Sequence, residues 1–209
     1  MKIIQNYSPW IGVIFLMLTS CSRASELPVG KTELINDMKV LIVYLSRTKN
    51  TKAIAEMINQ KINSDLIELE LQTLYPADYK TTIDQVASEN ARDFLPPLKT
   101  KIDSIEKYDI IFIGFPTWGM RLPPPMKGFL NQYDLSGKTV IPFNTNAGYG
   151  MGSSFETVKQ LCPDSQVLEG FSTKGGKERD GVLYVMEGNR EFQVQEEIQN
   201  WLIRIGMIK

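Results

Sequence analysis

Ser46-Arg47-Thr48-Lys49-Asn50-Thr51 stands between a continuous apolar run at 39–45 (KVLIVYL) and a segment from 51 (TKAIAEMINQKI) whose apolar residues recur at helical spacing. Hydroxyl, amide and cationic side chains crowd this junction. A helix start exposes N–H groups without intrahelical partners and carries about half a positive charge, so such donors can cradle a phosphate without a glycine-rich run. Ser, Thr and Asn are also ordinary caps of a helix start. The phosphate reading therefore draws its weight from two further loops.

The second loop, Pro116-Thr117-Trp118-Gly119-Met120-Arg121, follows the buried-strand signal at 110–115 (IIFIGF) and precedes a proline-led helix start at 123–126. An indole next to a glycine at a strand end can wall a planar ligand, and a residue without Cβ turns its peptide over at little cost. Alone, Trp118 reads equally as a core residue or a surface anchor. The third loop, Asn144-Thr145-Asn146-Ala147-Gly148-Tyr149 and on through Gly152, follows the strand-like run at 139–143 and has three glycines within 148–152. It lets backbone approach a planar ligand, with amides and Asn side chains for a polar edge; a flexible surface turn is the other reading.

The elements that must carry these loops alternate between strand and helix. After the first strand and helix come an alternating, edge-like strand at 65–71 and a helix ending near Ala91, with Ile83, Val86 and Ala87 on one face. Strands at 110–115 and 139–143 are continuous apolar runs of the kind parallel sheets bury on both faces. A helix at about 154–161, a fifth strand at 166–171 and a final helix at 191–205, with Phe192, Ile198, Leu202 and Ile205 at helical spacing, complete the series. Five strands with intervening helices predict a doubly wound α/β sheet, whose ligand crevice lies at the carboxyl ends of the strands. Between 172 and 189 an extra piece, with strand-like 182–186, reads as a hairpin or added strand. Its cluster Lys177-Glu178-Arg179-Asp180 is a solvated turn or a lip for a partner.

With 209 residues, 43% hydrophobic, the chain has enough for one well-cored domain. The 23 Lys and Arg against 24 Asp and Glu leave no basic excess for nucleic acid. The chain has no histidine, which removes imidazole bases and His-ligated metal sites. Cys21 and Cys162, its 2 cysteines, are too few for a thiolate metal site. No metal and no catalytic side chain are expected. A cofactor must bring the chemistry.

Cys21 has its own setting. Lys2, the apolar run at 11–18 and Leu18-Thr19-Ser20-Cys21 resemble a bacterial lipoprotein signal, predicting cleavage after residue 20, acylation of Cys21 and a flexible tether over 21–37. An uncleaved anchor helix and an ordinary cleaved signal are the competing readings. Two or three acyl chains would hold the domain stably on a membrane, about 20–25 Å from the lipid through such a tether. This implies the bacterial cell envelope, facing periplasm or exterior. Cys162, in Leu161-Cys162-Pro163, reads as a small buried apolar residue.

Residues 38–209 resemble the flavodoxins, in a bacterial branch that also carries lipoprotein signals. The resemblance rests on the spacing at 46–51, on Thr117-Trp118-Gly119, on the third loop, and on Tyr75-Pro76-Ala77-Asp78-Tyr79 and Tyr133-Asp134-Leu135-Ser136-Gly137-Lys138. It implies a five-stranded parallel sheet of order 2-1-3-4-5 and FMN as cofactor. Ser46, Arg47, Thr48, Lys49, Asn50 and Thr51 would hold the phosphate. Pro116, Thr117, Trp118 and Gly119, with Asn144, Thr145, Asn146, Ala147, Gly148 and Tyr149, would form the flavin pocket, in which Trp118 stacks and Tyr149 is a candidate second wall. Lys49 occupies a place where that branch commonly has glycine. The near-neutral charge also departs from the acidic character of soluble flavodoxins, whose field steers them to partners. The implied function is electron transfer between an unidentified donor and acceptor. An FMN-dependent NAD(P)H:quinone or small-aromatic reductase, and a non-redox module binding FMN or another phosphorylated ligand, are the alternatives.

Overall fold

The computed structural model describes residue 1 and residues 37–209. The expected signal, Cys21 and the tether through residue 36 lie outside the described residues. The sheet is parallel, in the order β2-β1-β3-β4-β5, with β6 also on β4. Its first strand β1 (Val40–Tyr44) is buried throughout and lies between β2 (Ser64–Glu68) and β3 (Ile110–Pro116). β2 has one neighbour and is only partly buried, as its alternating sequence predicts. β4 (Thr139–Asn146) pairs with β3 along the latter's whole length.

The fifth strand position is divided. β5 (Gln166–Val167) pairs with the start of β4, and β6 (Phe171–Lys174) with its end. The interruption faces Pro142, which brings no N–H to the ladder. There the chain presses close: a Cβ at Gly170 would stand 2.5 Å from the Phe155 ring and 2.8 Å from the Pro142 carbonyl oxygen. The uninterrupted strand expected over 166–171 is thus broken at 168–170 and resumes as far as Lys174.

Helices cover both faces. On one, α1 (Asn50–Asn59) and the C-terminal α5 (Gly188–Arg204) bury Ile54, Ile58, Val194, Ile198, Trp201 and Leu202 against Ile42, Tyr44 and Phe112. On the other, α3 (Pro124–Gln132) and α4 (Ser154–Leu161) supply Met126, Phe129 and Val158 to Leu41, Val43, Ile111, Ile113 and Phe115. Phe192 of α5, expected in the core, is 63% exposed, because Val194 and Trp201 define the inward stripe. The helix α2 (Tyr79–Ala91), capped by Asp78 Oδ1 accepting from Thr81 N at 2.8 Å, buries Thr82, Val86 and Glu89. Ile83 and Ala87, read from sequence as the same inward face as Val86, remain exposed.

The segment at 182–186 is not a strand. Val182 makes an isolated bridge with Lys177 after a 3-10 turn at Glu178–Asp180. The next backbone groups are taken by a side chain: Asn50 Nδ2 donates to Leu183 O at 2.6 Å, and Val185 N donates to Asn50 Oδ1 at 3.1 Å. The strand-like pattern here does not join the sheet, because Asn50 takes up the backbone groups of 183 and 185. Among the described residues, no helix is long and apolar enough to cross a membrane.

Cys162 is buried at the end of α4, and burial pushes its thiol up to about 11. The thiolate is the nucleophile. Alkylation by iodoacetamide at pH 8 is therefore expected to be at least tenfold slower in the folded chain than in urea, as read by mass spectrometry; equal rates would contradict this placement.

Candidate functional site

The loops leaving the carboxyl ends of β1, β3 and β4 meet at one edge of the sheet, around a cavity of about 510 Å³. That size lies within the ordinary range of small-molecule sites, about 300–1,000 Å³. Ten of the residues singled out from sequence line it: Arg47, Thr48, Asn50, Pro116, Thr117, Trp118, Gly119, Thr145, Asn146 and Ala147. Ser46, Lys49, Thr51, Asn144, Gly148 and Tyr149 are not on its lining.

The junction before α1 divides its labour unevenly. Lys49 adopts φ 65 and ψ −6, a left-handed conformation that favours glycine, and its side chain is exposed. The turn is closed by Ser46, whose Oγ accepts from Lys52 N at 3.2 Å, leaving its O–H free to donate elsewhere. Asn50 is buried and its amide is committed: besides Leu183 and Val185, it donates to Thr48 Oγ1 at 2.8 Å. Thr51 is also buried, with Oγ1 2.8 Å from Thr145 Oγ1. Arg47 ties three segments together, donating to Glu178 at 2.9 Å and to the Pro76 and Ala77 carbonyls at 3.0 Å each. The groups left to meet an anion are the Ser46 and Thr48 hydroxyls and the Asn50 and Thr51 N–H groups at the start of α1, since Lys52 N and Ala53 N are already bonded, with Arg47 supplying a charge that Glu178 largely offsets.

After β3, Trp118-Gly119-Met120-Arg121 forms a tight turn, with Trp118 N to Arg121 O at 3.3 Å and Arg121 N to Trp118 O at 3.1 Å. Gly119 (φ 57) and Met120 (φ 60) both have positive φ, the signature of a type I′ turn, a conformation that favours glycine at 119. Met120 is held in this costly conformation by Ser153 N, which donates to its carbonyl at 3.1 Å. The Trp118 indole meets Tyr75 edge-on, with centroids 5.0 Å apart and planes at 83°. Tyr75 in turn donates to Glu89 Oε2 at 2.5 Å, anchoring the indole to α2. Burial, reinforced by Glu89, raises the Tyr75 phenol above its usual range and keeps it a donor.

Near the end of β4, which runs three residues beyond the expected 139–143, the fully buried Asn144 is a hub. Its Nδ2 donates to Phe115 O at 3.0 Å, while Oδ1 accepts from Thr117 Oγ1 and Ser172 Oγ, each at 3.2 Å, and from Asn146 Nδ2 at 3.3 Å. Asn146 Oδ1 gathers the N–H groups of Gly148 and Gly150 at 2.9 and 3.1 Å. These Asn side chains order the loops and have little capacity left for a ligand edge. Tyr149 is 60% exposed outside the cavity. Lys177 lies 5.5 Å over its ring and Arg179 donates to its hydroxyl at 3.2 Å. Lys177 first, and Arg179 with it, hold the phenol below its usual range.

Sequence reasoning missed one whole wall. Tyr79, Ile83, Val86, Ala87 and Asn90 of α2 face the cavity, as do Arg121, Gly175, Gly176 and Glu178. The signal for α2 was its apolar stripe, which reads as core facing when the helix's neighbours are unknown. For Gly176 it was the glycine pair itself: a Cβ there would stand 2.2 Å from Leu183 O. Among the described residues, no group of three or more His, Cys, Asp or Glu side chains could hold a metal ion.

A parallel sheet of this order, with helices on both faces and a hydroxyl-rich helix start and an indole at its switch point, defines a flavodoxin-like α/β protein. The flavodoxin family's sequence model matches residues 39–188, and the chain belongs to that family. A flavodoxin from Synechocystis sp. is 24% identical over 143 residues, 66% of this chain and 67% of that one. A crystal structure from Bacteroides eggerthii superposes with a TM-score of 0.65 at 27% identity, covering 81% of this chain and 98% of its own. A flavoprotein from Lactobacillus acidophilus, solved in complex with FMN, does so at 0.59 and 27%, covering 69% and 98%.

Proposed function

We propose that this protein is an FMN-binding electron-transfer flavodoxin, anchored in the bacterial cell envelope through an acylated Cys21. The observation that carries the electron-transfer reading is the cavity itself, which joins the hydroxyl-rich start of α1 to the Trp118 wall at one sheet edge. The residues fit FMN: the Ser46 and Thr48 hydroxyls and the α1 N–H groups suit a phosphate monoester, and the half-buried indole suits a planar ring. Membership of the flavodoxin family and the FMN complex of the Lactobacillus relative support that cofactor. When bound, FMN supplies one- and two-electron chemistry. The chain's part is to neutralise the phosphate at α1, hold Trp118 rigid through Tyr75 and Glu89, and present the Gly119 peptide at the ring. No histidine is present to act as acid or base.

The test is reconstitution. The purified chain is expected to bind one FMN and to undergo reversible reduction at a potential shifted from that of free FMN; failure to bind, or a bound flavin that cannot be reduced, would sink this reading. Trp118→Ala is expected to weaken FMN binding about ten- to hundredfold, since base-like stacking on an aromatic contributes about 1–3 kcal/mol, as measured by flavin fluorescence titration. Radiolabelled fatty acid incorporation that is lost in Cys21→Ser checks the anchor.

A second reading is an FMN-dependent reductase of quinones or small aromatics. It is favoured by the apolar α2 wall, where Ile83, Val86 and Ala87 face the cavity and give room for a second planar molecule. Steady-state oxidation of NADH or NADPH by the reconstituted protein, with a quinone acceptor, separates it from a dedicated carrier.

A further inference from the structure

The charge balance reverses around the cavity mouth. The whole chain has a formal net charge of −1. The phosphate loop, the end of β6 and the loops after β3, β4 and β6 nevertheless carry Arg47, Lys49, Arg121, Lys174, Lys177 and Arg179 against Glu178, Asp180 and Glu187. Glu178 is taken up by Arg47, and Lys177 and Arg179 share Asp180 at 2.7 and 3.1 Å. Among the described residues, Lys49, Arg121 and Lys174 form no ion pair within 4.0 Å. A phosphate dianion beside Arg47, Lys49 and Glu178 would leave that part of the mouth net negative, while Arg121, Lys174, Lys177 and Arg179 still outnumber Asp180 and Glu187 four to two.

These groups are contiguous. A Cβ at Gly148 would stand 3.6 Å from Lys174 Cε, so Lys174 flanks the loop whose next residue, Tyr149, meets Lys177 and Arg179. Met120, beside Arg121, is joined to the same loop through Ser153 N. Tyr149 and Met120 are 60% and 46% exposed. The result is a basic rim around an exposed aromatic ring and a thioether, of which the aromatic, Met and Arg side chains are types enriched at protein interfaces.

We propose that this rim is the docking surface for a redox partner protein whose own centre lies in a carboxylate-rich surface, an inference that rests on the electron-transfer reading above. Complementary charge at the mouth, on a chain otherwise acidic, does two things. It draws an acidic partner to the cofactor edge, and it repels the same partner from the remaining surface, so that encounters are orientated. Met120 and Tyr149 then provide the dry contact that shortens the transfer distance. The acidic charge of soluble flavodoxins selects partners of the opposite kind.

The experiment has two arms. In the first, reduced holoprotein is reoxidised by ferricyanide, a trianion, and by a tricationic cobalt complex, between ~0.01 M and ~1 M salt, where the screening length falls from about 30 to 3 Å. The ferricyanide rate is expected to fall about tenfold or more and the cobalt rate to rise. In Lys177→Glu with Arg179→Glu both trends should weaken or invert. A ferricyanide rate that rises with salt in the unaltered protein overturns the proposal. In the second arm, apo chain is titrated with decaglutamate and amide shifts are followed by NMR. Shifts confined to residues near 121, 149 and 174–180, and lost in the double variant, support the surface; no shifts, or shifts elsewhere, overturn it. Phosphatidylglycerol vesicles that perturb these amides where decaglutamate does not would also overturn it, by making the rim a membrane contact. Failure to bind FMN removes the electron-transfer reading, and the second arm still judges the surface.

Discussion

Thr48→Asp is expected to weaken FMN binding about a thousandfold while leaving the apo fold intact. Thr48 lines the cavity at the start of α1, and its Oγ1 accepts from Asn50 Nδ2. A carboxylate accepts that bond at least as well, so the local structure survives. Its charge, however, faces the phosphate: two like charges about 4 Å apart at an effective dielectric of about 20 repel by about 4 kcal/mol per unit charge. Isothermal titration with FMN, beside the thermal unfolding curve of the apo chain, gives both quantities. An affinity within tenfold of the unaltered protein would remove the phosphate from this loop. Thr51→Asp is the less discriminating variant, because Thr51 is buried against Thr145 and a carboxylate there attacks the fold as well as the ligand.

Asn144→Ala has the largest expected effect on stability. The Asn144 side chain is inaccessible and satisfies Phe115 O, Thr117 Oγ1, Asn146 Nδ2 and Ser172 Oγ together. Removing it strands the buried Phe115 carbonyl and takes a partner from the half-buried Thr117 and Asn146, and a buried polar group left unpaired costs about 1–3 kcal/mol. A loss of about 3 kcal/mol or more is expected, read as a lower urea midpoint at unchanged slope. The same side chain couples the loops after β3 and β4 to β6, so FMN affinity in the folded fraction should fall as well. A midpoint unchanged by the substitution would show that water replaces the hub.

Much of the site was legible because it is written locally. A buried run, then donors, then a helix period places residues 46–51 at a strand-to-helix junction whatever the remainder of the chain does. The same logic located Trp118 and the glycine-rich stretch at strand ends. Which donors remain free was not legible. Asn50 and Asn144 have suitable chemistry for a ligand, yet the fold spends the first on Leu183 and Val185 and the second on loops from β3, β4 and β6. Apart from Asn146, those partners are distant along the chain.

The same division explains the misplaced elements. The stripe at Ile83, Val86 and Ala87 declares a face that avoids water, but periodicity cannot say whether that face meets a sheet or a cavity. Residues 182–186 have a strand's composition, but a side-chain amide far off in the chain claims their backbone instead of a sheet edge. By itself, the amino-acid order determined the class of fold, the three loops and the reliance on a cofactor, since these follow from hydrophobic period and from which side chains are present. Only the tertiary structure decided which groups are exhausted by internal hydrogen bonds, which wall the α2 helix forms and where the basic charges gather. Those outcomes depend on competition among partners far apart in the chain, and that competition is settled only when the elements pack.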